Sequence, residues 1–474
     1  MIPGAFLILV VPLAVAGIGY ILGQWRRLTG LLATVTAFMM GLAIATLPLD
    51  RPVAFWGGRE IAMGEAVDIL GRELGFTPSA RWSMAFIFFA AAGIFLVAWA
   101  VHAHSLLYSI GLGSLSLLCT ALLIRPLIYA ALLVEIVAIL SVFALQKEGQ
   151  SPSRGAIQFL TFSILALPGL LVTHWLLERY ALTPNETSLL SAAAILLALS
   201  FALLLGILPF HTWVTGITRD SMPFSSTFVL TIGQSTVWFI LFAFLETYPW
   251  LTTYLRHNPA VLTLGVTMSA VGGVLAAGQR RLGTLMGYAV LADTGCILVA
   301  FGIDASSSLS LMLLALLVRP IGLTLMAAGS AKLTDWGLND SSDKLKGLGW
   351  KHPLSTGVYI VGGMSLAGMP ITAGFVWRWA LYRSVAVQNV GQAFLLLLSS
   401  CGVVAGLLRT ATLLLDYSGK SDVPSATITF RVWEWSTTAI VVLATLGCIG
   451  VGLWPQRIAP LATQIAASFT LLVK

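Results

Sequence analysis

The stretch Pro126-Leu-Ile-Tyr-Ala-Ala-Leu-Leu-Val-Glu-Ile-Val-Ala-Ile-Leu-Ser-Val-Phe-Ala-Leu145 decides the fold class, because it places the carboxyl group of Glu135 in the middle of a long apolar run. A helix of about 20 apolar residues crosses the hydrocarbon core of a bilayer. A charge at the centre of that core costs about 3 kcal/mol or more. The stretch therefore predicts a transmembrane helix whose acid is either a protonatable relay or a carboxyl group kept neutral or paired for structure.

The composition of the whole chain extends this conclusion. Of the 474 residues, 58% are hydrophobic and only 9% are charged, whereas a soluble domain carries about 25% charged residues. A soluble enzyme, a disordered chain and a disulfide scaffold are excluded. The net charge of +7 comes from residues scattered in short loops and forms no basic face, so no nucleic-acid partner is predicted. The predicted fold is an all-α polytopic membrane protein.

Segmentation by apolar runs predicts about fourteen transmembrane helices. They lie near 3–23, 28–48, 82–101, 105–124, 126–145, 157–177, 189–210, 224–246, 260–278, 283–303, 307–331, 354–382, 391–415 and 434–454; they are called spans 1 to 14 below. Three longer connections, 49–81, 332–353 and 416–433, separate them, and the first is predicted to be a hairpin or a surface helix. Loops after odd-numbered spans carry 13 of the 26 Lys and Arg residues and the opposite loops carry 10, which places the odd loops in the cytoplasm and both termini outside.

Span 10 and span 12 each hold a further ionisable residue. Asp293 lies in Tyr288-Ala-Val-Leu-Ala-Asp-Thr-Gly-Cys296, and the two interpretations given for Glu135 apply to it as well. Arg378 follows Leu366-Ala-Gly-Met-Pro-Ile-Thr-Ala-Gly374, in which Pro370 predicts a break at mid-membrane. Broken helices are tolerated only where protein or water satisfies the backbone. Arg378 is therefore predicted to belong to an ion path, with packing between two tryptophans as the alternative.

A second break is predicted at Pro209, in Gly206-Ile-Leu-Pro-Phe-His-Thr-Trp213, with His211 beside it and Gln234 in the next span. The titration range of histidine suits proton exchange, but a hydrogen-bonding histidine at a helix end explains His211 equally well. Arg319 precedes Pro320 in span 11 and Arg409 lies in span 13. Both arginines are predicted accessories, and for Arg409 the alternative is a side chain that reaches the membrane surface.

The two breaks indicate an internal repeat. An offset of five spans pairs Glu135 with Asp293 and the Pro209 break with the Pro370 break. Because the offset is odd, the second copy runs in the opposite direction, as in inverted-repeat transporters. The predicted units are an N-terminal part with a 49–81 loop outside the cytoplasm, a first five-helix repeat, a second five-helix repeat, and a C-terminal loop with helix 14. Their bounds are 1–101, 105–246, 260–415 and 416–474.

These features resemble the antiporter-like subunits of respiratory complex I and the multisubunit cation/proton antiporters. The most specific motifs are Leu208-Pro-Phe-His-Thr-Trp213, the stretch 282–295, and Ser365-Leu-Ala-Gly-Met-Pro-Ile-Thr-Ala-Gly-Phe375, which is closest to the complex I subunit called N. The resemblance implies fourteen helices, two inverted five-helix repeats, broken helices 7 and 12, and a central polar axis that carries protons. It also implies other membrane subunits as partners and a bacterial inner membrane as the location.

The chain departs from the family pattern at four places. By position, Glu135 matches the family's glutamate in span 5, and Arg378 falls where a lysine belongs in span 12. The lysine positions of spans 7 and 8 hold Leu204 and Gln234, and Asp293 replaces a frequent histidine. Because arginine keeps its proton in proteins and leucine has none to give, the route is either rewired through Glu135, His211 and Asp293 or lost.

Two functions follow from the sequence. The first is a proton-translocating subunit of a redox-driven membrane complex, in which Glu135 admits protons, Asp293 carries them, and Arg378 biases both electrostatically. The second is a structural module of the same membrane arm that conducts no ion, with a Na⁺/H⁺ antiporter or an inorganic-carbon uptake system as a further alternative.

Whether the chain counts as part of an enzyme stays open. No cysteine pattern typical of haem or iron–sulfur ligation occurs, so no cofactor and no metal site are predicted.

Overall fold

A computed structural model describes residues 2–55, 59–69, 71–146, 153–183, 186, 188–255, 258–303, 308–333, 345–416 and 432–469. Helices dominate these residues. The helices that match the fourteen predicted spans are Gly4–Ile21, Arg26–Thr46, Pro78–Ala100, Ser105–Leu123, Ile128–Leu145, Arg154–Leu182, Ser188–Leu205 with Thr212–Asp220, Pro223–Thr247, Pro259–Ala277, Leu282–Gly302, Ser308–Leu333, Pro353–Ala367 with Phe375–Gln388, Val390–Leu415 and Val432–Leu453.

The prediction of an integral, all-α membrane protein is confirmed. Among the described residues, twelve helices are long and apolar enough to cross a membrane alone, and the bent pair Thr438–Leu453 and Pro455–Ser468 makes a thirteenth. The remaining predicted span, the twelfth, consists of two shorter helices. It ends at Gln388 rather than near residue 382, because the break at 368–374 uses residues that contribute no helical rise.

The outer helices enclose a central group. Spans 8, 10 and 11 are each 89% buried within the chain, whereas spans 1, 2, 6 and 13 are only one-third buried. A helix that is apolar all round and buried lies at the core of its bundle. The charged residues of spans 10 and 11 are therefore shielded from lipid by other helices.

The described residues of the connection 49–81 form short strands and no surface helix. Val53–Phe55 pairs antiparallel with Arg59–Ala62, which also pairs parallel with Ile2–Pro3. A second hairpin, Val67–Ile69 with Arg72–Leu74, adds Ile124–Arg125 from the end of span 4. The predicted hairpin is thus present, and Gly57 and Gly58 lie outside the described residues. Of the connection 332–353, residues 334–344 lie outside the described residues, and the described part contains the short helix Leu348–Lys351. Of the connection 416–433, residues 417–431 lie outside them.

Both predicted breaks are present, and they begin alike. Span 7 stops at Leu205 and is followed by Gly206 with φ +66°; the first half of span 12 stops at Ala367 and is followed by Gly368 with φ +74°. A left-handed glycine after a helix is a common helix stop. In each case a proline follows within three residues, and the preceding helix, span 6 or span 11, packs along the broken one. These shared features agree with the predicted repeat, which remains a prediction.

Candidate functional site

The centre of the molecule holds one carboxylate between two guanidinium groups. Arg378 Nη2 donates to Asp293 Oδ1 at 3.0 Å, and Arg319 Nε lies 3.7 Å from Asp293 Oδ2. All three side chains are at most 3% exposed. Two positive groups against one negative group leave the cluster with a formal charge of +1. Since an isolated buried charge is costly in an apolar medium, polar groups around the cluster have to stabilise this excess.

The break in span 12 positions Arg378. The left-handed Gly368 turns the chain so that its α-carbon packs on the side chain of Arg378, and Ser365 Oγ accepts a hydrogen bond from the backbone N–H of Gly374 at 3.2 Å. The second half of the span then starts at Phe375, and Arg378 occupies its first turn. The local sequence thus aims the guanidinium into the bundle, while Trp379 points outward and is 60% exposed. Of the two tryptophans in the alternative interpretation, only Trp377 packs against Arg378, with the guanidinium carbon 5.0 Å from its ring centroid.

Gly368→Ala tests this positioning. A Cβ at residue 368 would lie 2.7–2.9 Å from three side-chain carbons of Arg378, on a backbone with positive φ. We expect a loss of about 1–3 kcal/mol in the free energy of unfolding, from backbone strain and displacement of Arg378. The measurement is denaturant titration of the full chain in mixed micelles. The matched control is Gly357→Ala in the same span, where a Cβ meets nothing within 4 Å; equal effects of both variants would contradict the argument.

Gln234 connects the cluster to the break in span 7. Arg319 Nη2 donates to Gln234 Oε1 at 2.5 Å and to Thr294 Oγ1 at 3.1 Å. Gln234 Nε2 in turn donates to the carbonyl oxygen of Leu205 at 3.1 Å. That carbonyl is available because the helix ends there. Gln234 directly follows a π-helical segment, Val229–Gly233, a local distortion that often accompanies functional residues.

On its other side, Arg378 contacts hydroxyl and thiol groups of three spans. Its Nη1 donates to Cys296 Sγ at 3.1 Å, to Ser400 Oγ at 3.2 Å and to Tyr382 OH at 3.4 Å. The hydroxyls of Tyr382 and Ser400 are 2.5 Å apart. Cys296 also contacts Ser269 Oγ at 3.3 Å. Polar groups of spans 9, 10, 12 and 13 therefore surround the excess positive charge.

Glu135 lies beside this network and is separated from it by two small cavities. The first, between spans 5, 6, 7 and 8, is lined by Glu135 and has about 20 Å³ of space for water centres; the second, lined by Gln234, has about 40 Å³. The two cavities share four lining residues: Val134, Ser163, Leu204 and Val237. A space of about 10–15 Å³ holds one water molecule. Water in both cavities would leave only the width of these shared side chains between Glu135 and Gln234.

The structure thus brings together four predicted residues: Gln234, Asp293, Arg319 and Arg378. Arg319, predicted as an accessory, is instead a member of the central cluster, because Pro320 and the apolar run of span 11 are buried among other helices. Glu135 lies beside the cluster, with the two cavities between them.

Four predicted positions lie elsewhere, and three of them are at the breaks. His211 directly precedes the second half of span 7 and is not among the described hydrogen-bond partners of the cluster; its buried Nδ1 has no hydrogen-bond partner among the described residues. Pro209 and Pro370 are exposed at the two breaks. Arg409 is exposed on the outer face of span 13, which agrees with the alternative of a side chain that reaches the membrane surface.

Sequence reasoning did not identify Tyr382 and Ser400 as members of the network. Tyr382 lies four residues after Arg378, so the two side chains share one helix face, and this spacing is a signal that the sequence contains. The sequence gives no such signal for Ser400, because its contact with Arg378 depends on how spans 12 and 13 pack. Cys296 is buried and also contacts Arg378.

Comparison with known proteins adds a family and a fold. Residues 158–406 match the family described as NADH:quinone oxidoreductase/Mrp antiporter, TM. NADH-quinone oxidoreductase subunit N of Chromohalobacter salexigens is 32% identical over 37% of this chain and 37% of its own length. Subunit N of Psychrobacter arcticus is 27% identical over 56% of this chain and 54% of its own length. The chain thus covers about a third to just over half of these relatives. A chain of Thermus thermophilus respiratory complex I with bound NADH is 20% identical, with a TM-score of 0.75 over 99% of both chains.

Proposed function

The chain belongs to the NADH:quinone oxidoreductase/Mrp antiporter transmembrane family, and from this membership we propose that it is the antiporter-like, proton-translocating subunit of a redox-driven complex similar to complex I. The observation that carries the proposal is the continuous polar chain at the bundle centre. It runs from the Leu205 carbonyl through Gln234, Arg319, Asp293 and Arg378 to Tyr382 and Ser400.

The arginines act as fixed charges in this proposal. A guanidinium holds its proton in proteins, so neither Arg319 nor Arg378 passes a proton on. Protons move instead between the carboxyl groups of Glu135 and Asp293 and intervening water. Several buried polar atoms of the cluster have no hydrogen-bond partner among the described residues, namely Asp293 Oδ2, Arg319 Nε and Nη1, and Arg378 Nε. Ordered water binds to such atoms in other proteins, and this supports a water-filled passage through the cluster.

In this proposal the two arginines also control the entry of protons. A proton that arrives next to a cluster already carrying +1 is repelled, so the positive charges form an electrostatic barrier. Separation of Arg378 from Asp293 would lower this barrier by moving one positive charge away and freeing the carboxylate. We infer that the Asp293–Arg378 ion pair is the element that opens and closes, as Gly368 and the flanking break allow the second half of span 12 to shift.

Leu204 favours the alternative of a coupling subunit without ion conduction. Its apolar side chain lines both cavities between Glu135 and Gln234, at the position where the family resemblance places a lysine. A barrier that stays dry would separate Glu135 from the cluster permanently. Ser163, which lines the same two cavities, supplies a hydroxyl at the same place and supports a water-bridged route instead.

The location and partners belong to the same proposal. We place the chain in a bacterial inner membrane with both termini outside the cytoplasm, next to other membrane subunits. The exposed apolar residues of spans 1, 2 and 13 offer surfaces for these subunits and for lipid. The transported ion in this proposal is H⁺, because the route runs through the carboxyl groups of Glu135 and Asp293 and the water between them.

Gln234→Leu is the experiment that tests this function. The variant removes the acceptor of Arg319 and the donor to the Leu205 carbonyl. Loss of one charge-assisted hydrogen bond, worth about 1.5–3 kcal/mol, should slow proton transfer through this chain about tenfold or more. The measurement is the ratio of protons moved to electrons transferred in proteoliposomes that contain the whole complex. Gln279→Leu is the control, because Gln279 lies just after span 9 and its amide donates to the carbonyl oxygen of Leu275 in that span. An unchanged ratio in Gln234→Leu would favour the coupling subunit.

A further inference from the structure

A polar pocket opens at the side of the bundle, on the face of the odd-numbered loops. Ten residues line it, among them Lys332, Leu354, Ser355, Val358, Thr438 and Val441, and its volume is about 280 Å³. The cavities beside Glu135 and Gln234 offer only about 20 and 40 Å³. The pocket is therefore large enough for a ligand rather than for a few water molecules.

Four spans contribute to the pocket from the same side of the membrane. Span 3 ends at Ala100 and span 11 ends at Leu333, whereas span 12 begins at Pro353 and span 14 begins at Val432. These are the ends that face the odd-numbered loops, which the distribution of Lys and Arg assigns to the cytoplasm. A pocket between helix ends lies at the level of the lipid headgroups.

The chemistry of the lining suits an anion attached to an apolar tail. Lys332 supplies a positive charge, Ser355 and Thr438 supply hydroxyl groups, and none of the ten lining residues is acidic. Leu354 and Ser355 also belong to the first turn of the helix Pro353–Ala367, which has no side-chain cap, so its free N–H groups and positive dipole end add to the attraction. The remaining lining residues are mostly apolar.

We propose that this pocket binds the phosphate group of an anionic phospholipid from the cytoplasmic leaflet, with the acyl chains along the apolar flank of spans 11, 12 and 14. Free phosphate shares the headgroup chemistry, but the apolar side chains of Leu354, Val358 and Val441 would gain nothing from it. The proposal is independent of proton translocation, because none of the lining residues belongs to the central cluster.

The test is lipid retention by the purified full-length chain, measured by native mass spectrometry. After delipidation, dioleoylphosphatidylglycerol and dioleoylphosphatidylcholine are added in equal amounts. We expect phosphatidylglycerol to bind preferentially to the wild-type chain. Because one Lys near the surface contributes about 1 kcal/mol toward anionic lipid, Lys332→Gln should bind it about fivefold more weakly, and Lys332→Arg should bind it nearly as well as the wild type.

Arg280→Gln is the matched control, since Arg280 is exposed in the loop between spans 9 and 10 on the same face and does not line the pocket. Equal retention of phosphatidylglycerol by Lys332→Gln and by the control would overturn the proposal. Equal binding of the two lipids by the wild type would do the same. Displacement of the lipid by an equal concentration of inorganic phosphate would assign the pocket to free phosphate instead.

Discussion

Asp293→Asn should destabilise the chain by about 3–5 kcal/mol, because it removes the only negative group from between two buried arginines. The substitution keeps the size of the side chain and an acceptor for Arg378, but it raises the formal charge of the cluster from +1 to +2. Removal of one partner from a buried ion pair leaves an uncompensated charge, and this is what makes it costly. The measurement is the free energy of unfolding of the full chain in mixed micelles, with sodium dodecyl sulfate as the denaturant.

Two further variants separate charge from shape. Arg378→Met leaves Asp293 paired with Arg319 and lowers the formal charge of the cluster to zero, so we expect a smaller loss than for Asp293→Asn. The double variant Asp293→Asn with Arg378→Met restores the wild-type charge of +1 and leaves Arg319 bonded to Gln234 and Thr294. It should therefore be more stable than Asp293→Asn alone. A double variant that is as unstable as the sum of the two single variants would show that geometry, not charge, dominates.

Hydropathy was sufficient to predict the helices because each span is a long run of apolar residues with few interruptions. Fourteen predicted spans correspond to helices, and both breaks occur where Gly and Pro interrupt an apolar run, at Gly206 to Pro209 and at Gly368 to Pro370. The boundaries were less certain where the break itself uses residues, as in span 12. The form of the 49–81 connection could not be chosen, since its short strands depend on pairing with residues distant in sequence, such as Arg125.

The site was predictable in its members but not in its connections. Buried charges in spans 10, 11 and 12 are visible in the sequence, and their energetic cost marks them. Their pairing is not visible, because the contacts of Asp293 with Arg378 and of Arg319 with Gln234 each join residues 85 positions apart. One aspartate and two arginines in spans 10, 11 and 12 do indicate a cluster with excess positive charge. For Arg409 the sequence could not choose between a role in transport and an exposed position, since that depends on which face of span 13 meets the bundle.

Glu135→Gln should abolish the contribution of this chain to proton translocation. Glu135 is the titratable group that lines the cavity between spans 5, 6, 7 and 8, and its Oε1 atom is buried without a hydrogen-bond partner among the described residues. Glutamine keeps the shape and polarity of the side chain but cannot store a proton. Removal of a proton-transfer group typically slows a reaction by about 10²–10⁴-fold, so the ratio of protons moved to electrons transferred by the whole complex should fall.

Glu178→Gln is the control for this substitution. Glu178 lies on span 6, is 67% exposed and pairs with His174 on the same helix, so loss of its charge should leave the ratio unchanged. The two variants also separate transport from assembly, because both should incorporate into the complex and keep its rate of electron transfer when the membrane potential is dissipated. If Glu135→Gln moves as many protons per electron as Glu178→Gln, the cavity does not supply protons to the Asp293 cluster. Leu204 would then act as a permanent apolar barrier, and the chain would couple its neighbours without conducting ions.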